Sequence, residues 1–276
     1  MTGIGGLKDL TVSRGYLHSG AVPWAAALWL WLALLIATPI SIWVGGADLF
    51  PLMATLGVLA QTGVTLITLA GTWSLARTAK VVVIVLIGAW GVEELGLATG
   101  FPFGRYAYTQ ALQPQLAGVP LLIPLAWLMM LPPAWAAAEA ILAGCRERLG
   151  MGYALLHAAL AGLAFTAWDL YLDPQMVAHG LWVWDNGWGG YFGIPWSNFI
   201  GWWLSATLLT LVVRPSQLLR PPLLLIYSLT WAFQAVGLGI FWGQPGPALA
   251  GLVGMGIWVV WAWSQEWQAC KPSSGR

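Results

Sequence analysis

The sequence predicts an all-α, polytopic transmembrane bundle of about eight helices with both termini in the cytoplasm. Three observations lead there. Apolar runs of about 20 residues recur along the chain, each long enough to cross a bilayer core. The composition is 59% hydrophobic and 8% charged, and 11 basic plus 10 acidic side chains cannot solvate the surface of a soluble chain of 276 residues. The basic residues also alternate between connections as the positive-inside rule requires.

In chain order, a short cytoplasmic arm (1–21) precedes a single integral membrane domain (22–266), and a cytoplasmic tail (267–276) follows. The arm is not read as a secretory signal, because its apolar run to Val44 is too long and no small-residue cleavage site follows. The expected spans are 22–44, 51–73, 80–99, 119–143, 152–171, 196–213, 222–243 and 247–266. The cluster Gly243-Gln244-Pro245-Gly246-Pro247 breaks the last two apart. With eight spans, Lys8, Arg14, Arg77, Lys80, Arg146, Arg148, Arg214, Arg220, Lys271 and Arg276 all fall on one side, which the charge rule makes cytoplasmic. Arg105 alone falls on the other. Two long connections on that other side, 100–118 and 172–195, are dense in Trp, Tyr, Gly and Pro. Such aromatic segments are expected to fold back at the interface rather than float as solvated loops.

Several function classes are excluded by composition. A net charge of +1 gives no electrostatic case for nucleic acid. Cys145 and Cys270 lack metal or redox spacing. His18, His157 and His179 form no ligand pattern, so neither a metal nor a di-iron centre is expected. No strand-flanked Gly-x-Gly-x-x-Gly points to a nucleotide cofactor.

Chemistry is expected where acids sit inside the membrane, since intramembrane carboxyls are costly and default to functional sites. At ~1.5 Å per helical residue, Glu93 lies about 20 Å from the basic end of its span and Asp169 about 25 Å from the start of its own. Both thus share one layer with Asn198, below the aromatic connections. Gly96 and Gly100 make a small-residue face for close helix packing, and Glu93 shares it. Glu94 is rotated about 100° away, at the margin. Pro174 is expected to push Asp173 out of helical conformation, so that it caps or turns the chain at the interface. Gln61 and Gln234 are read as interhelical hydrogen-bond partners, His157 as a satisfied helix residue, and Glu139, Glu147 and Glu266 as local ion pairs.

The run Glu93-x-x-Gly96-x-x-x-Gly100-x-x-Phe103-Gly104-x-Tyr106-x-Tyr108 is followed by Gly118-Val119-Pro120 and Pro124-x-x-Trp127. Then come Asp169-x-x-x-Asp173-Pro174, Trp182-x-Trp184 and Tyr191-x-Gly193-x-Pro195-x-x-Asn198-x-x-Gly201-Trp202. Together these motifs, over about 90–205, resemble the CruF-type carotenoid hydratases, a membrane family of carotenoid biosynthesis.

The resemblance implies addition of water across the terminal C1–C2 double bond of an acyclic carotenoid end, without a cofactor. Its substrates would be lycopene, γ-carotene or C50 bacterioruberin precursors, reached within the lipid bilayer. Protonation at C2 leaves a tertiary cation at C1 that water captures. This needs a carboxylic acid kept protonated in an apolar setting, aromatic faces for the cation and a polar group to hold the water. Asp169 or Glu93 would be the acid and the other the base, with Asp173 in the same catalytic set. Tyr106, Tyr108 and Asn198 would place the water, and Trp168, Trp182, Trp184 and Trp202 would shield the cation. Glu94, Phe103, Arg105 and Tyr191 would complete the substrate contacts. Two other readings stay open. A small membrane lycopene cyclase shares the cation chemistry, although Val92 precedes Glu93-Glu94 where that family carries Pro-Glu-x-Glu. A carotenoid carrier is the other; helices broken at the midplane would favour it, whereas the Gly/Pro breaks here lie mostly at span ends.

Overall fold

A computed structural model describes residues 21–150, 152–185 and 190–270. The polar arm with Lys8 and Arg14, and the tail residues Lys271 and Arg276, lie outside the described residues. Among the described residues, eight helices are long and apolar enough to cross a membrane, at the positions the sequence predicts. They are α1 (Ala21–Gly45), α2 (Phe50–Ala70), α3 (Leu75–Thr99) and α4 (Leu122–Ile141). After them come α5 (Gly152–Ala178), α6 (Trp196–Val213), α7 (Arg220–Val236) and α8 (Pro245–Cys270). A π-helical turn, Gly237–Phe241, extends α7.

Helix α4 is the axis of the bundle. It packs against α2, α3, α5, α7 and α8, and its residues are almost all buried. The Ala-rich run Ala134–Ala140 lets neighbours approach closely, which is how helices associate where lipid offers no hydrophobic drive. Pro132 and Pro133 interrupt its hydrogen-bond ladder; the Thr65 hydroxyl donates to the freed Met129 carbonyl at 3.1 Å. Helix α1 rests chiefly on α2 at the periphery. At the basic end, Arg77 donates to Ser216 and Gln217, and Arg220 pairs with Glu266 at 2.7 Å.

At the opposite end both aromatic connections fold back, as expected. Strand β1 (Tyr106–Tyr108) lies in the first, followed by a two-stranded ribbon of β2 (Gln115–Leu116) and β3 (Val119–Pro120). The ribbon turns at Ala117 and Gly118, both at positive φ, the conformation of a tight hairpin turn. Strand β4 (Trp182–Trp184), from the second connection, pairs antiparallel with β1. The register sets Tyr106 opposite Trp184 and Tyr108 opposite Trp182. Because strand side chains alternate, these four rings face the bundle while Ala107 and Val183 face outward, both exposed. The pair forms a lid over the helices.

The Gly96 face does not pack against another helix as its spacing suggested. A Cβ on Gly96 would lie 2.7 Å from Phe103 Cδ2, and one on Gly201 of α6 would lie 2.7 Å from Phe103 Cδ1. The fully buried Phe103 ring fills the clearance that these two glycines leave. Gly100 ends α3 at φ 80°, a left-handed cap that turns the chain back over the bundle.

Asp173 corrects the expectation. Helix α5 runs through Pro174 to Ala178, so Asp173 is helical and 3% exposed. Proline removes the N–H that would bond the carbonyl four residues back, here Leu170. The Tyr191 hydroxyl donates to that carbonyl at 2.8 Å, which satisfies it and lets the helix continue. Replacing Tyr191 with Phe should therefore cost about 0.5–1.5 kcal/mol of stability in detergent. In a Pro174→Ala background, where the backbone N–H returns, the same change should cost much less; equal losses in both backgrounds would refute this role.

Candidate active site

The lid and four helices enclose a cavity of about 20 Å³, a volume that holds roughly one water molecule. Its walls carry two of the carboxyls predicted for the site, Glu93 and Asp173, with Asn198 and the rings of Phe103, Tyr106, Tyr108, Trp182, Trp184 and Trp202. These come from α3, the lid, α5 and α6, and α4 adds Trp127.

Glu93, 2% exposed on α3, is met by three donors. Tyr106 and Tyr108 Oη donate to Oε2 at 2.6 and 2.9 Å, and Trp127 Nε1 donates to Oε1 at 3.2 Å. Strand alternation brings the two phenols onto one side, so a single carboxyl oxygen takes both. Burial, and then the neighbouring Glu93 carboxyl, push both phenols well above the ordinary tyrosine range. They stay protonated and remain donors at any physiological pH.

Asp169 and Asp173 lie four residues apart on α5 and project to the same side. Their carboxyls interact with each other. Asn198, at the start of α6, bridges them: Nδ2 donates to Asp169 Oδ2 at 2.7 Å and to Asp173 Oδ2. Trp182 Nε1 donates to Asp173 Oδ1 at 3.1 Å. Asp169 is fully buried behind Asp173, and its Oδ1 has no hydrogen-bond partner. The buried indole N–H of Trp184 is unpartnered too, although Trp184 lines the cavity.

Beneath the carboxyls lies an aromatic floor. Trp202 stacks on Trp127 and on Phe165, with centroids 5.1 Å apart in both pairs, and meets Trp168 edge-on at 6.1 Å. The arrangement offers ring faces to any positive charge that develops above it.

The remaining predicted residues are more dispersed. Trp168 belongs to the floor and lines a second cavity instead. Tyr191 buttresses α5 from outside the site. Arg105 is exposed, and neither it nor Glu94 reaches the cavity. The reason is geometric: Arg105 precedes the inward Tyr106 on an alternating strand, and Glu94 sits one helical step from Glu93. Sequence reasoning missed the role of Trp127, although Pro124-x-x-Trp127 had marked it as part of a motif.

A profile of the family described as "Carotenoid biosynthesis protein" matches residues 51–258, which includes every residue of this site. A relative named bisanhydrobacterioruberin hydratase, from Haloarcula japonica, is 32% identical over 123 residues. That stretch covers 44% of this chain and 40% of the relative, so the match spans about two-fifths of the relative's length. No solved structure matches the chain. With the profile covering helices α2 to α7, the first half of α8 and the whole lid, the chain belongs to the carotenoid biosynthesis protein family.

Proposed function

We propose that the chain is a carotenoid hydratase, which adds water across the terminal C1–C2 double bond of an acyclic carotenoid end to give a tertiary alcohol. The observation that carries this reading is the convergence of Glu93, Asp173 and Asn198 on a cavity of about 20 Å³ walled otherwise by aromatic rings and the aliphatic Ile123, Ala126 and Leu172. Proton donor, proton acceptor, one water and cation-stabilising faces are what the reaction needs. The relative's name supports the same chemistry.

In this mechanism the Asp169–Asp173 pair shares one proton and delivers it through Asp173, the member that faces the cavity. The π electrons of the alkene form the new C–H bond at C2 and leave a tertiary cation at C1. Aromatic faces stabilise such a cation by about 0.5–2 kcal/mol each; Trp182, Trp184 and Trp202 supply them. Glu93 is held as a hydrogen-bond acceptor by three donors, so it takes a proton from the water that attacks C1. Returning that proton to the aspartate pair resets the site. Both phenols orient the water. The substrate is one of the acyclic-ended carotenoids, lycopene, γ-carotene or a C50 precursor, taken from the lipid bilayer.

Positioned proton transfer is worth about 10²–10⁴-fold, so Glu93→Gln and Asp173→Asn should each lower hydration of lycopene by at least 10²-fold. Full activity in either variant would remove that residue from the mechanism. In water enriched in ¹⁸O the product hydroxyl should carry the label. A ring instead of a hydroxyl, or no turnover, would overturn the hydratase reading.

A further inference from the structure

A second cavity, of about 340 Å³, lies in the lid half of the bundle between α1, α2, α5 and α7, within the size range of small-molecule sites (about 300–1,000 Å³). Among the described residues no charged side chain lines this apolar chamber. Its wall on α2 is formed by Phe50, Met53, Ala54, Gly57 and Val58, the spacing of one helix face. Small residues make the room: a Cβ built on Gly57 would meet no atom within 4 Å. At the lid end Phe50 stacks on His179 at 3.5 Å and meets Trp242 edge-on at 6.4 Å. The membrane side is open instead. Helix α1 rests chiefly on α2, which leaves the seam between α1 and α7 without close helix packing. Ile36 and Ile40 of α1 and Phe241 at the end of α7 line the chamber and are more than half exposed.

The inner wall adjoins the carboxyl site. Trp168, Leu172 and Met176 follow each other at spacings of four along α5 and line the chamber. Asp169 and Asp173 lie about 100° around the same helix. Leu172 lines both cavities and is the partition between them. The carboxyl cavity, about 20 Å³, holds a water but is too small for an isoprenoid end. An isoprenoid substrate must therefore be accommodated beside it.

We infer that the chamber binds the polyene chain of a carotenoid, with its reacting end against Leu172 and the remainder running out between α1 and α7 into lipid. The choice of chain rests on the hydratase reading. The walls fit this occupant better than a phospholipid. Five rings, those of Phe50, Trp168, Phe233, Phe241 and Trp242, offer flat faces to a flat conjugated chain, and no charged wall residue is placed to hold a headgroup. A substrate lodged here reaches the carboxyls from the lipid without crossing water.

Lycopene is achiral, so its visible absorption shows circular dichroism only when an asymmetric site holds it; lycopene dissolved in micelles is silent. Titrating purified full-length protein in detergent with lycopene should give a saturable visible band. Gly57→Trp, which fills the open space on the α2 wall, should raise the half-saturating concentration by about tenfold or more and lower kcat/KM for hydration in parallel. Ala54→Phe, one turn away on the same wall, serves as the second filling variant should the first not fold. Leu59→Trp, on the lipid-facing side of α2 and 48% exposed, should change neither. No saturable band in the wild type, an unchanged band in a folded filling variant, or displacement of lycopene by excess phospholipid would overturn the inference. The two readings fail separately. Hydration that continues unimpaired in Gly57→Trp sinks the chamber and leaves the hydratase; a band that is lost in Gly57→Trp, with no product hydroxyl in the wild type, sinks the hydratase and leaves the chamber.

Discussion

A carboxyl inside a membrane bundle has to be met by donors, and the donors around Glu93 arrive from separate parts of the chain. Moving a carboxylate out of water costs several kcal/mol, and a hydrogen bond to a charged group returns about 1.5–3 kcal/mol. Each donor offsets part of that cost, and three converge on this one group. Trp127 comes with the central helix, and Tyr106 and Tyr108 come from the lid. The lid is thus held down by chemistry rather than by its short strands, since two three-residue strands are marginal by themselves. Glu93 in turn cannot sit in the bundle without the lid. Lid, central helix and α3 form one interdependent unit, and the cavity is the space they leave.

Much of this was legible in the sequence. Eight apolar runs and one-sided basic residues prescribe the eight helices. The depth count sets Glu93 level with Asp169, and the rotation from Glu93 to Glu94 selects the inward carboxyl. What could not be read depended on partners distant in the chain. A local rule about residues preceding proline would remove Asp173 from the helix; the Tyr191 hydroxyl, 21 positions from Leu170, overrides it. The spacing of Gly96 and Gly100 signalled a close approach correctly but not its occupant, a phenylalanine ring. Arg105 stood out as a lone charge, yet strand alternation turns it outward.

Helix α5 shows how few residues separate two environments. Within eight positions it presents Trp168, Leu172 and Gln175 to an apolar chamber, and Asp169 and Asp173 to a polar site. The separation is a rotation, not a distance. Continuation of the helix through Pro174 matters for this reason: a break there would unphase Asp173 from Asp169 and turn Gln175 away from its face.

Phe103 has a consequence for how such a chain can diverge. Its two ring edges, Cδ2 and Cδ1, occupy the space that a Cβ on Gly96 or Gly201 would need, so helices α3 and α6 are spaced at this level by one side chain borne on a loop. Neither glycine can gain even a methyl group while the ring stays full size. The three positions are sterically coupled: added bulk at either glycine requires the ring at Phe103 to shift or shrink. The interhelical gap beside the carboxyls is set by these three residues together.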